Sequence, residues 1–82
     1  MKKTLVGLDF YKPLTQEVEL AHTLSIYIEE GGDLQRIVDR LYIHRNTLRY
    51  RLDKIQALTG KDPRHVKQLM ELYMAQLMNQ LS

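Results

Sequence analysis

Cysteine is missing from the 82 residues. That removes both a disulfide framework and a thiolate zinc site, and it fits an intracellular address better than a secreted one. Serine is nearly missing too. Ser25 falls on an apolar helical face and Ser82 at the terminus, so no nucleophile set can be assembled and no catalytic residue is assigned. No apolar run approaches the roughly 18 residues needed to span a bilayer. Lys2 and Lys3 are not followed by the sustained apolar core of a signal peptide, so the chain reads as soluble and cytoplasmic, with no membrane partner. His22, His44 and His65 lack the i, i+4 spacing and acidic neighbour of a zinc helix, so neither a metal nor another cofactor is expected. There are no repeats, low-complexity segments or interdomain linkers. A chain this short makes one domain and buries only about 60 to 65% of its unfolded surface, so partner surface would add to its stability.

What is present centres on residues 41 to 55, LYIHRNTLRYRLDKI. Leu48, Leu52 and Ile55 recur at i, i+4 and i+7, the interval that lines one face of an α-helix. The opposite face collects Asn46, Arg49, Tyr50 and Asp53, with Arg45, Arg51 and Lys54 on its flanks. Upstream, Leu34, Ile37, Val38 and Leu41 give a shorter amphipathic helix, separated from the next only by Tyr42, Ile43 and His44. A short helix, a turn of about three residues and a second helix bearing arginines is the layout of a DNA-reading helix-turn-helix.

The formal net charge is only +2, but the charges are unevenly distributed. From Leu14 to Asp33 all five charges are negative, whereas from Gln35 to Lys54 six cations stand against two acids. A polyanion is expected to approach the second block and be repelled by the first.

The spacing predicts an all-α, four-helix domain over residues 15 to 82, with helices at about 15–30, 33–41, 44–58 and 63–81. Residues 1 to 14, broken by Gly7 and Pro13, read as an irregular arm, packed through Phe10 or Leu8 where it is ordered and otherwise a frayed terminus. Thr15 is the expected N-cap of the first helix, whose inner stripe would be Val18, Ala21, Leu24, Ser25 and Ile28, with Leu20 and Tyr27 at its edges. Gly31 and Gly32 stop it, Asp33 caps the second helix, and Ile43 plugs the angle before the third. Glu29 and Glu30, at the end of the first helix, read as solvated acids. Asp62 and Pro63 signal the start of the last helix, with Val66, Leu69, Met70, Tyr73, Met74, Leu77 and Leu81 as its stripe.

The double glycine at 31 and 32, the run HRNTLRYRL at 44 to 52 and the LTG at 58 to 60 together resemble the C-terminal DNA-binding domain of the PucR and CdaR regulators. The likeness covers roughly residues 20 to 77. The resemblance implies a Fis-like helix-turn-helix without a wing, acting as the output domain of a bacterial transcriptional regulator with double-stranded DNA as its partner. It also implies a sensor domain lying outside these residues.

A reading helix enters the major groove N-terminus first, so its first two turns meet the bases. That nominates His44, Arg45, Asn46, Arg49 and Tyr50 as base contacts, and the resemblance favours Arg45 among them. Thr47, Arg49, Arg51 and Lys54 are expected on phosphates. Arg51 borders the core, so an ion pair with a glutamate of the first helix competes with that role. Met70, Met74, Met78 and Leu81 widen the stripe of the last helix beyond what a core needs, leaving a homodimer seam or the dock for a sensor domain open. The competing function class is a helical protein-interaction or dimerisation module that never touches DNA.

Overall fold

The computed structural model describes residues 2 to 81. It is helical throughout: a 3₁₀ helix at Lys2–Gln16, then α1 (Val18–Glu29), α2 (Leu34–Leu41), α3 (Arg45–Thr59) and α4 (Val66–Leu81). The four expected α-helices are present and all-α is the fold class. No helix among the described residues is long and apolar enough to cross a membrane.

The N-terminal segment differs from the expected irregular arm. Gly7 and Pro13 disfavour an α-helix, and the chain instead winds into a 3₁₀ helix. In that winding residues three apart eclipse one another. Tyr11 and Leu14 therefore share one edge, and that edge is buried, with Phe10 partly buried beside it. The expected contact through Leu8 lies outside the described side chains. This segment packs against α1, α3 and α4 and so closes the core from the N-terminal side.

Because the 3₁₀ helix runs on to Gln16, Thr15 is not a cap. Its hydroxyl donates back to the Lys12 carbonyl at 2.8 Å, and α1 begins after Glu17 with no side-chain cap. The inner face of α1 is correspondingly rotated from the expected stripe. Leu20, Thr23, Leu24, Ile26 and Tyr27 are buried, while Val18 is 78% exposed. Flanked by the 3₁₀ helix, α2, α3 and α4, α1 is covered over more than one stripe. Its end is as expected. Gly31 and Gly32 take φ of 60° and 80°, and their amides bond Ile28 and Tyr27 carbonyls at 3.0 Å each, satisfying groups the helix end would leave orphaned.

The start of α4 comes three residues later than Asp62 and Pro63 suggested. Asp62 Oδ1 accepts the Arg64 amide at 3.0 Å and its carbonyl accepts the His65 amide at 3.0 Å, forming a turn with Pro63 buried before the helix begins at Val66. More consequentially, α4 buries a different face. Leu72, Ala75 and Gln76 point into the core, and the predicted stripe, apart from the partly buried Leu69, faces outward. Gln76 fixes this orientation. Its Nε2 donates to the Tyr11 hydroxyl at 3.1 Å and to the Ala21 carbonyl at 3.3 Å, while its Oε1 accepts from Ser25 at 3.1 Å. The shared core is built on Leu14, Leu24, Ile37, Leu52, Ile55 and Leu72, all essentially inaccessible.

Candidate nucleic-acid interface

The helix-turn-helix begins at Asp33, whose carboxylate accepts the Arg36 amide at 3.3 Å and caps α2. Ile37 and Val38 seat α2 on the core. At its end Tyr42 adopts φ 56° and ψ 46°, the left-handed conformation that glycine commonly supplies at such turns, and the residue is 93% exposed. Ile43 then returns to the core edge, partly buried, as expected of a residue plugging the interhelical angle.

His44 is the N-cap of α3. Its Nδ1 accepts the Asn46 amide at 3.1 Å, and its carbonyl accepts the amides of Thr47 and Leu48. An Nδ1 that accepts carries no proton, so the proton of the neutral ring lies on Nε2, on an exposed side chain. Leu48, Leu52 and Ile55 seal the inner edge of α3 at 2% exposure or less. Arg45, Asn46, Thr47, Arg49, Tyr50, Asp53 and Lys54 are exposed along the other side. Gly60, with φ 77°, terminates the helix.

Arg36 lies 3.6 Å from Asp33 within the first turn of α2, and the other cations of the helix-turn-helix divide into two kinds. Arg40 bonds both Glu29 and Glu30 at 2.9 Å, and these hydrogen bonds, Glu30's first, raise its pKa further. Arg51 pairs with Glu19 at 3.1 Å and donates to the Thr23 hydroxyl at 3.1 Å. Both guanidiniums are therefore spent in fastening α2 and α3 to α1. Arg51 thus forms the ion pair expected to compete with a phosphate contact. Glu29 and Glu30 are not simply solvated acids, and the acidic block neutralises part of the basic block instead of standing apart from it. Arg45, Arg49 and Lys54, by contrast, have no ion-pair partner among the described residues. Arg45 Nη2 bonds only the neutral Gln35, at 3.1 Å, and Lys54 Nζ lies 5.8 Å from the centre of the Tyr50 ring.

Between α3 and the α1–α2 turn runs an open groove of about 260 Å³, lined by Leu34, Leu48 and Leu52 and by Arg45, Arg49 and Arg64. Tyr27 also borders it, and burial pushes its phenol upward, so it remains a neutral hydroxyl. An apolar lining with the guanidiniums of Arg45 and Arg49, beside an Arg64 already paired with Asp53 and Asp62, suits a strand that is anionic along one edge and carbon-rich along the other.

A model of the PucR C-terminal helix-turn-helix domain matches residues 20–78. The chain belongs to that family. It is 39% identical over 66 residues to the purine catabolism regulatory protein of Bacillus subtilis, an alignment covering 80% of this chain and 12% of that protein. It is 35% identical over 75 residues to an uncharacterised protein of Mycobacterium bovis, covering 90% of this chain and 18% of the relative. A leucine-rich protein of Streptococcus dysgalactiae is 38% identical over 68 residues, covering 83% and 23%. The chain thus spans less than a quarter of the length of these curated relatives.

Within this PucR-type domain the structure brings His44, Arg45, Asn46, Thr47, Arg49, Tyr50 and Lys54 together on one exposed side and turns Arg51 away. Met70, Met74, Met78 and Leu81 lie exposed on α4. Two residues of the surface were missed by sequence reasoning. Gln35 holds Arg45 from the first turn of α2, and Arg64 lines the groove from outside the helix-turn-helix. Gln35 and Arg45 lie on different helices and Arg64 lies outside both, so periodicity carries no signal for these contacts.

Proposed function

We propose that this domain binds double-stranded DNA sequence-specifically, as the output module of a bacterial transcriptional regulator of the PucR type. The observation that carries the reading is the division of the cations: Arg45, Arg49 and Lys54 lie outward on the second helix of a helix-turn-helix, with no counter-charge among the described residues. Cations left without counter-charges on an exposed ridge are suited to replacing the counterions of a polyanion.

In this reading Arg45 exchanges its neutral Gln35 partner for guanine O6 and N7. Asn46 is suited to adenine, and Arg49, Tyr50 and the Nε2 edge of His44 reach neighbouring base edges. Thr47, Arg49 and Lys54 hold phosphates, and the groove beside α3 receives the sugar-phosphate strand. Arg51 acts as the anchor of the reading helix.

The outward face of α4 completes the proposal. Val66, Met70, Tyr73 and Leu77 follow one another at intervals of four, three and four, the seam of a coiled coil. With Met74, Met78 and Leu81 beside it, this face is suited to a second copy, which would present two reading helices about 10 bp apart.

Selection of bound sequences from random duplexes at two salt concentrations tests the reading. The expected result is an enriched motif whose binding falls steeply with salt. Arg45→Ala is expected to cost about 1 to 3 kcal/mol on that motif and to relax its sequence preference. Equal losses on the motif and on random DNA would remove Arg45 from the base contacts. Partner binding that ignores salt, with no enriched motif, would favour a protein-interaction module instead.

A further inference from the structure

Arg64 lies in the corner between α3 and α4, outside both helices, yet its side chain reaches the exposed side of α3. Nη2 stands 2.9 Å from Asp53 Oδ1 and 3.4 Å from Gln56 Oε1. Nε donates to Asp62 Oδ1 at 2.8 Å, and the Arg64 amide donates to the same oxygen at 3.0 Å. A single guanidinium therefore ties the C-terminal half of α3 to the corner. Burial by itself would raise the Asp62 pKa, but the side-chain and backbone hydrogen bonds from Arg64 outweigh it and hold the carboxyl below its usual range. The anchor thus stays charged wherever carboxylates ordinarily are.

Asp53 is the only acid within α3. At 100° per residue it falls on the same side as Asn46, Arg49 and Tyr50, one turn beyond Arg49. An exposed, uncompensated carboxylate there would repel the phosphates that Arg49 and Lys54 attract. Charges act over about 10 Å at 0.1 M salt, so the phosphates held by Arg49 and Lys54, within about one turn, would be affected.

We propose that Arg64 is a positioning residue of the DNA-binding surface: its guanidinium masks the Asp53 carboxylate and fastens the far half of the reading helix to the α3–α4 corner. The inference rests on the DNA-binding reading above. It gives a function to a residue that belongs to neither helix of the helix-turn-helix, and it accounts for an acid on a surface otherwise suited to an anion.

The test is a double-mutant cycle of Arg64→Gln and Asp53→Asn, measured on a duplex enriched from random sequence by the native domain. Arg64→Gln is expected to weaken binding about tenfold, Asp53→Asn alone to change it by less than about threefold, and the double variant to recover most of the loss. A purely structural role for Arg64 would leave the double variant binding as poorly as Arg64→Gln, because the ion pair is absent from both. Direct contact of Arg64 with a phosphate would make the Asp53→Asn gain equal in the two backgrounds. Either result overturns the inference while leaving DNA binding in place. If the native domain enriches no duplex, the functional reading fails and the inference falls with it.

Discussion

α3 and α4 are nearly the same length, at 15 and 16 residues, and each carries an aliphatic stripe at helical spacing, but only α3 turns that stripe inward. Leu48, Leu52 and Ile55 disappear beneath α3, and the remaining side is polar. In α4 the stripe of Val66, Met70, Tyr73, Met74 and Leu77 is between 42% and 72% exposed, and the helix rests on Leu72, Ala75 and Gln76. The difference lies in how many apolar faces each helix has. α3 has one, so burial admits one orientation. α4 carries apolar residues on more than one face, and the choice passes to fit and to polar partners. Ala75 is small enough for close helix approach, and Gln76 finds a hydroxyl on each of two neighbouring elements. Hydrophobic periodicity groups residues onto a face, but it does not select the inner face when two qualify.

The largest effect that would expose this contrast comes from truncating the buried face of α3. Leu52→Ala is expected to lower the unfolding free energy by about 2 to 5 kcal/mol, measured by urea denaturation, because Leu52 is fully enclosed and the surrounding side chains relax only in part. A cost below that of truncating Met70 would mean that α3 is not the better-seated helix.

Gln76→Leu is the intermediate case and tests what orients α4. The leucine nearly conserves volume and adds apolar character, so an orientation set by apolar packing alone would be strengthened by it. If the polar network sets the orientation, the hydroxyls of Tyr11 and Ser25 lose their partner, and unfolding is expected to become easier by about 1 to 3 kcal/mol. Adding Tyr11→Phe to Gln76→Leu is then expected to return part of the loss.

The same contrast explains which parts of the structure were legible. The helix-turn-helix was readable because its information is local: Asp33 three residues before the amide it caps, leucines one turn apart, and glycines where the chain must take positive φ. The candidate site was readable to the same degree, since exposure on α3 follows from the single buried edge. What escaped the sequence is non-local. Arg40 finds Glu29 across 11 residues, Gln76 finds Tyr11 across 65, and Arg64 finds Asp53 across the α3–α4 corner. Each pairing depends on the packed arrangement of the helices, which no single helix encodes. The 3₁₀ helix escaped for a different reason: Leu5, Leu8, Tyr11 and Leu14 do recur every three residues, but Gly7 and Pro13 read as breaking any helix.

The smallest expected effect is on the outward face of α4. Met70→Gln together with Met74→Gln keeps side-chain length and helix propensity nearly constant, and neither methionine is buried. At micromolar concentration the unfolding free energy is expected to change by no more than about 0.5 kcal/mol, as is usual for exposed positions. Sedimentation over a range of concentrations then separates two uses of the face. If it meets a second copy, the native domain gains mass as concentration rises and the double variant does not. If both remain monomeric, the seam formed by Val66, Met70, Tyr73 and Leu77 serves some other contact. The inward choice of Leu72, Ala75 and Gln76 would then still stand, because it depends on the partners of α4 within its own chain.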